Sequence, residues 1–71
     1  MKYYFSLKLS ATEFLPYYQG TFENVQVITN QGIKVEFPAM HLRKFITSSG
    51  IDGYFCLETK ENKFLCLLKL K

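Results

Sequence analysis

The stretch FPAMHLRKFITSSGIDG, residues 37–53, decides how the chain is arranged, because it separates two strand-rich halves. Pro38 can occupy the first turn of a helix, where its missing N–H leaves no bond unmade. Apolar residues then recur at helical spacing, which predicts a short helix with one buried face. That face consists of Ala39, Leu42, Phe45 and Ile46. His41 and Lys44 fall on the solvent-facing side, and the polar run Thr47–Gly50 ends the helix.

Apolar and polar side chains alternate from Lys2 to Leu9, which predicts a half-buried strand. Its inward residues are Tyr3, Phe5, Leu7 and Leu9. Ser10 and Glu13 then have the spacing of a capping box, so a helix is expected to start there. Pro16 removes one backbone hydrogen bond within that helix and keeps it short, and Gly20 ends it.

The second and third strands, Phe22–Thr29 and Ile33–Phe37, are predicted to form a hairpin around the turn at residues 30–32. Gly32 suits the positive φ of a three-residue hairpin loop. Pairing Thr29 with Ile33 sets the inward residues of one strand opposite those of the other. The inward pairs are Val27 with Val35 and Val25 with Phe37, and Ile33 is also expected to face inward.

The last two strands are predicted at Ile51–Thr59 and Phe64–Leu70, and their register stays open between two alternatives. A two- or four-residue loop pairs Leu57 with Cys66, and it is favoured because it turns the apolar residues of both strands inward. Those residues are Phe55, Leu57, Phe64, Cys66, Leu68 and Leu70. A three-residue loop would instead set Cys56 directly opposite Cys66.

These elements follow the order strand, helix, strand, strand, helix, strand, strand within one domain, residues 1–71. Short connections favour antiparallel neighbours. The predicted fold is therefore α+β, with a five-stranded antiparallel sheet or a partly open small barrel and two short helices. The outer face of that sheet would carry an apolar strip, made of Tyr4, Ile28, Tyr54, Leu65 and Leu67. Either curvature buries this strip or a partner covers it.

The composition excludes several classes of protein. Hydrophobic residues make up 48% of the chain and aromatic residues 17%, too much for a disordered protein. No apolar run reaches the roughly 18 residues of a membrane span, and no signal-peptide core is seen, so we expect a cytoplasmic protein without membrane contact. Cys56 and Cys66 are too few for a disulfide framework or a zinc site, and no cofactor is expected.

The sequence contains no constellation typical of catalysis. His41 is the only histidine, and the spacing brings no nucleophile near it, so we expect a protein that is not an enzyme. The string Gly50-Ile51-Asp52-Gly53 matches a GxxG phosphate clamp in letters alone, since such a clamp joins two helices and Asp52 would repel phosphate. The glycines are interpreted as turn residues.

We therefore expect a non-enzymatic protein-interaction or regulatory module, with a homodimer through the apolar outer face as one form of it. The alternative is weak binding of single-stranded RNA, in which exposed tyrosines stack on bases and lysine or arginine side chains hold phosphates. A net charge of +3 on scattered lysines is otherwise explained by solubility. The candidate binding surface consists of Tyr4, His41, Arg43, Lys44, Tyr54, Leu65 and Leu67.

Three stretches of the chain resemble a family of short bacterial proteins known as domain of unknown function 2835. They are YYFSL at residues 3–7, EFLPYYQG at residues 13–20, and residues 37–53. The resemblance extends over nearly the whole chain. It implies a stand-alone cytoplasmic protein of about this length with no assigned activity, cofactor or catalytic residue, so it assigns a role to no residue.

Overall fold

A computed structural model describes all 71 residues of the chain. Strand β1 spans Lys2–Leu9, as the alternation predicts. Its central inward residue, Phe5, is fully buried, whereas Tyr4 and Ser6 beside it are exposed. Period-two alternation thus places one side of β1 in the core and the other side in solvent.

Helix α1 spans Ala11–Tyr18 and starts with the predicted capping box. The Ser10 hydroxyl accepts a hydrogen bond from the Glu13 N–H at 3.1 Å, and the Ser10 N–H donates to Glu13 Oε1 at 2.9 Å. Two hydrogen bonds lower the pKa of the Glu13 carboxyl below its ordinary value: the larger effect comes from the Ser10 backbone N–H and the smaller from the Ser10 hydroxyl. Pro16 lies inside the helix, and Gly20 follows it with a φ of 84°.

Strands β2 (Asn24–Ile28) and β3 (Lys34–Pro38) form the predicted hairpin. Val25 pairs with Phe37 and Val27 with Val35, so the predicted register is confirmed. Gly32 has the expected positive φ, 79°. The prediction that Ile33 faces inward is wrong: its side chain is 43% exposed. It lies just before β3 at the turn end of the hairpin, where its carbonyl accepts the Thr29 N–H at 2.9 Å and the Thr29 hydroxyl accepts its N–H at 3.2 Å.

The predicted second helix is a 3₁₀ helix at Ala39–Phe45, and Pro38 precedes it in an extended conformation rather than lying in its first turn. Ala39 and Leu42 are buried and Phe45 is half-buried. Three apolar residues at intervals of three match the three residues per turn of a 3₁₀ helix better than the 3.6 of an α-helix.

Strands β4 (Ile51–Lys60) and β5 (Lys63–Lys69) are joined by a two-residue turn in which Glu61 and Asn62 have φ values of 54° and 65°. Thr59 pairs with Phe64, as the favoured register predicts. The pairing then shifts, because a β-bulge at Leu65 inserts one extra residue into β5. Both predicted registers are therefore wrong beyond that point.

Beyond the bulge, Leu57 pairs with Leu67 rather than with Cys66, and Cys56 pairs with Leu68. Leu67 is consequently a core residue with 2% exposure, although it was predicted on the outer face. Phe55, Leu57 and Phe64 face the core as predicted. The residues predicted inward beyond the bulge turn away from it: Cys66 is half-buried, and Leu68 and Leu70 are exposed.

The strands form two antiparallel sheets, one of order β1-β4-β5 and one of β2-β3, so the prediction of one five-stranded sheet or a barrel is wrong. Helix α1 separates β1 from β2 in the chain, and the Asn30 N–H donates to the Tyr4 carbonyl at 2.8 Å where the two sheets meet. The core lies between the sheets, where the Phe5 ring is 5.9 Å from Phe37 and 5.6 Å from Phe55. The α+β class is confirmed.

Gly50 introduces β4 with a φ of 108°. A Cβ at this position would overlap the Leu9 carbonyl oxygen and the Ser10 carbonyl carbon. The close approach holds the start of β4 against the end of β1, where Leu9 pairs with Ile51. No helix of the fold is long and apolar enough to cross a bilayer.

Candidate functional site

The residues predicted as one binding surface lie in two separate places. Tyr4 and Tyr54 are on the solvent-facing side of the three-stranded sheet, together with Cys56 and Leu68; we call this side the outer face. The others line a groove between the 3₁₀ helix and the start of β5, which we call the basic groove. They are His41, Arg43, Lys44, Leu65 and Leu67.

Two tyrosines form the centre of the outer face. The rings of Tyr4 and Tyr54 are nearly parallel, with centroids 6.3 Å apart and an interplanar angle of 17°. The Asn30 side-chain amide donates a hydrogen bond to the Tyr54 hydroxyl, which fixes that ring. Ile28, which was predicted in the same strip, lies on β2 in the other sheet.

A cross-strand row of Tyr4, Cys56 and Leu68 runs across the outer face. Directly opposed residues on adjacent strands project to the same side of a sheet. Cys56 is only 5% exposed on this side, whereas Leu68 is 52% exposed at the edge. Cys56 and Leu68 were absent from the predicted surface. Leu68 is predicted to face inward, because the bulge that directs it outward leaves no trace in the alternation.

Charged side chains of both signs border this apolar row. Lys2 is opposite Glu58, and Lys8 is opposite Asp52. The Cys66 thiol, which neighbours Glu58 across the strands, donates to Glu58 Oε1 at 3.7 Å. Burial, and secondly the Glu58 charge, raise the pKa of Cys66, so its thiol stays protonated near neutral pH and is a weak nucleophile.

The basic groove has a volume of about 360 Å³. The His41 ring, predicted to be a surface residue, stacks on Phe64 with centroids 3.7 Å apart and an interplanar angle of 10°. This stack connects the 3₁₀ helix to β5. His41 is therefore half-buried rather than free in solvent.

The two cations of the basic groove both lie over aromatic rings. Arg43 Nη2 donates to the Tyr18 carbonyl at 2.9 Å, and its guanidinium lies 5.1 Å from the Tyr18 ring centroid. The bond satisfies a carbonyl at the C-terminal end of α1. Lys44 Nζ lies 5.1 Å from the centroid of the Phe45 ring.

Met40 is a groove residue that the sequence prediction missed. Its side chain is 64% exposed and lines both the basic groove and a second groove of about 270 Å³. Arg43 also lines both, and Phe22 lies in the second. Met40 directly follows buried Ala39, so it does not belong to the apolar face of the helix. That position in the sequence is the signal that could have predicted its exposure.

No group of three or more His, Cys, Asp or Glu side chains is close enough together to hold a metal ion.

The fold and the two surfaces define a small α+β domain of two antiparallel sheets. The chain belongs to the family described as "Protein of unknown function (DUF2835)", which matches residues 1–70 and confirms the resemblance of the three stretches. No curated protein and no solved structure matches the chain.

Proposed function

We propose that this protein is a non-enzymatic interaction module that associates with a second copy of itself through the outer face. The observation that carries the proposal is the apolar row of Tyr4, Cys56 and Leu68 on a solvent-facing side of the sheet. A half-exposed leucine on the same side of the sheet as two tyrosines forms the kind of patch that marks protein interfaces.

The charges around the row favour a second copy as the partner. Because Lys2 and Lys8 on β1 lie opposite Glu58 and Asp52 on β4, the border of the face carries both signs. A two-fold axis sets a surface against itself, so a border of mixed sign can offer each cation a carboxylate. Phosphate binding instead favours a surface with an excess of cations.

The size of the outer face limits the strength of this association. Three strands of about eight residues cover roughly 14 Å by 25 Å, or about 350 Å². Stable interfaces bury about 800 Å² per partner, so the dimer is expected to be weak, with a dissociation constant of roughly 10–1,000 µM.

Sedimentation equilibrium from about 10 µM to about 1 mM tests the proposal over that range. The wild-type chain should shift from monomer to dimer, and Leu68→Ser should weaken the association at least about tenfold, since the lost burial counts twice in a symmetric dimer. Leu65→Ser is the matched control: the two leucines are equally exposed, at 52%, but Leu65 lines the basic groove. A wild-type chain that stays monomeric at 1 mM contradicts the proposal.

A second candidate function, binding of single-stranded RNA, is favoured by the parallel Tyr4 and Tyr54 rings with Lys2 and Lys8 on the same side of the sheet. Sheet-based RNA readers stack bases on such aromatic pairs. Fluorescence anisotropy of a labelled oligouridylate at low salt tests it, with Tyr4→Ala expected to remove binding. Arg43 and Lys44 lie in the basic groove, so Lys44→Ala is the control that leaves this binding unchanged.

A further inference from the structure

We infer that the basic groove is a separate binding site for a short peptide segment of another protein that combines an apolar side chain with acidic ones. Its walls come from two elements, the 3₁₀ helix and the bulged start of β5. The lining residues are Met40, His41, Arg43 and Lys44 on one wall and Phe64, Leu65, Cys66 and Leu67 on the other. This site does not depend on the outer face or on dimer formation.

The charge of the groove specifies the acidic part of the ligand. Arg43 and Lys44 bring two positive charges to the groove, and no Asp or Glu lines it. The bond from Arg43 Nη2 to the Tyr18 carbonyl holds the guanidinium in place while its other N–H groups stay available. A pre-positioned guanidinium suits a carboxylate, and the Lys44 ammonium group in the lining of the same groove adds to the attraction.

The apolar lip of the groove specifies the other part of the ligand. Met40 and Leu65 are both more than half exposed, on opposite walls. Leu65 is the extra residue of the bulge, and bulges commonly redirect a side chain towards a site. The flexible Met40 side chain can adapt to an aliphatic or aromatic residue placed between them.

The aromatic rings of the groove favour a peptide over a nucleic acid. His41 and Phe64 stack face to face at 3.7 Å, so each ring already has one face covered by the other. Both are half-buried, whereas nucleic-acid stacking platforms present open ring faces. The exposed apolar groups here are aliphatic, which suits a side chain rather than a base.

The groove fits a short extended segment. The seven-residue 3₁₀ helix is about 14 Å long. An extended peptide covers that length with about four residues. The second groove, which shares Met40 and Arg43 and includes Phe22, gives room for one or two residues more.

Titration of ¹⁵N-labelled protein with the peptide acetyl-EELFEE-amide tests this site, with amide shifts followed up to about 5 mM peptide. Saturable shifts are expected at residues 40–44 and 64–67. The control peptides acetyl-KKLFKK-amide and acetyl-EEGSEE-amide remove the charge match and the apolar anchor respectively, and each should bind at least about tenfold more weakly.

Two variants separate this site from the outer face. Lys44→Glu and Leu65→Ser should each weaken the peptide about tenfold, through charge reversal and loss of the anchor contact. Leu68→Ser should leave peptide binding unchanged, since Leu68 does not line the groove. Because Leu65→Ser and Leu68→Ser have opposite expected effects on peptide binding and on dimerisation, either proposal can fail without the other.

Four results overturn the inference: no saturable shift at 5 mM, equal binding of the control peptides, shifts confined to the outer face, or equal shifts with a hexauridylate. The last result would assign the groove to nucleic acid. A fifth result would also overturn it: shifts at residues 40–44 that depend on protein concentration without any peptide would assign the groove to a second copy of the chain.

Discussion

The hairpins β2–β3 and β4–β5 differ in how many of their faces are apolar. In β2–β3, buried Val25 and Val27 alternate with exposed Gln26, so one face belongs to the core and the other to solvent. In β4–β5, Leu57 and Leu67 face the core, while Cys56 and Leu68 lie on the outer face. The regular hairpin thus contributes apolar residues to the core alone, whereas the bulged hairpin contributes them both to the core and to an exposed surface.

The largest difference in stability is expected when one side chain on each face of β5 is truncated in turn. Leu67→Ala should lower the free energy of unfolding by about 2–5 kcal/mol, because it leaves a cavity in the core. Leu68→Ala should change it by less than about 0.5 kcal/mol in the monomer. Urea unfolding at low micromolar protein measures both. Equal losses of unfolding free energy would mean that the bulge does not place Leu67 in the core and Leu68 on the outer face.

The turn of β2–β3 is expected to give the next largest effect. Gly32→Ala should destabilise by about 1–2 kcal/mol, because a side chain is strained at a φ of 79° although nothing lies near its Cβ. Gln31→Ala in the same turn is the control and should be close to neutral. A neutral Gly32→Ala would show that this hairpin tolerates another turn geometry.

Deletion of Leu65 tests whether the bulge is needed for the register. Thr59 would still pair with Phe64, and Glu58 with Cys66, so the strand pairing should survive. The loss of stability should be about 1 kcal/mol or less, as for an exposed residue. Cross-strand nuclear Overhauser effects between the Leu57 and Leu67 α-protons provide the measurement. Their disappearance would mean that the bulge sets the register.

The smallest effect is expected in the turn of β4–β5, where the change should be stabilising. Glu61 has a φ of 54°, in the left-handed region that disfavours most side chains. Glu61→Gly should raise the free energy of unfolding by about 0.5–1 kcal/mol. Lys60→Gly, one residue earlier within β4, should lower it instead. Chemical unfolding of the pair checks the sign.

The two hairpins also show how far the sequence predicts this fold. The β2–β3 register follows from Val25, Val27, Val35 and Phe37, because alternation permits one register with every inward residue paired. In β5, the run of apolar residues from Phe64 to Leu68 contains no alternation. An inserted bulge residue within such a run is invisible, so Leu67 and Leu68 exchange their predicted sides.

The candidate site was predicted less completely than the strands. Tyr4 and Tyr54 are on one side of a sheet, as their positions predict, but Arg43 and Lys44 belong to a different surface. The sequence does not determine which side of the sheet the 3₁₀ helix covers. The stack between His41 and Phe64 joins elements that are far apart in the chain, and no local pattern encodes it.

The pairing of β1 with β4 determines the order in which this chain can fold. Phe5 and its partner Phe55 are 50 positions apart, whereas both hairpins close over short turns. Closing so long a loop is entropically costly, so the two hairpins can form before β1 pairs with β4. During synthesis, β1 is made before the other strands of the fold, and the backbone edge that pairs with β4 stays unpaired until β4 has been translated.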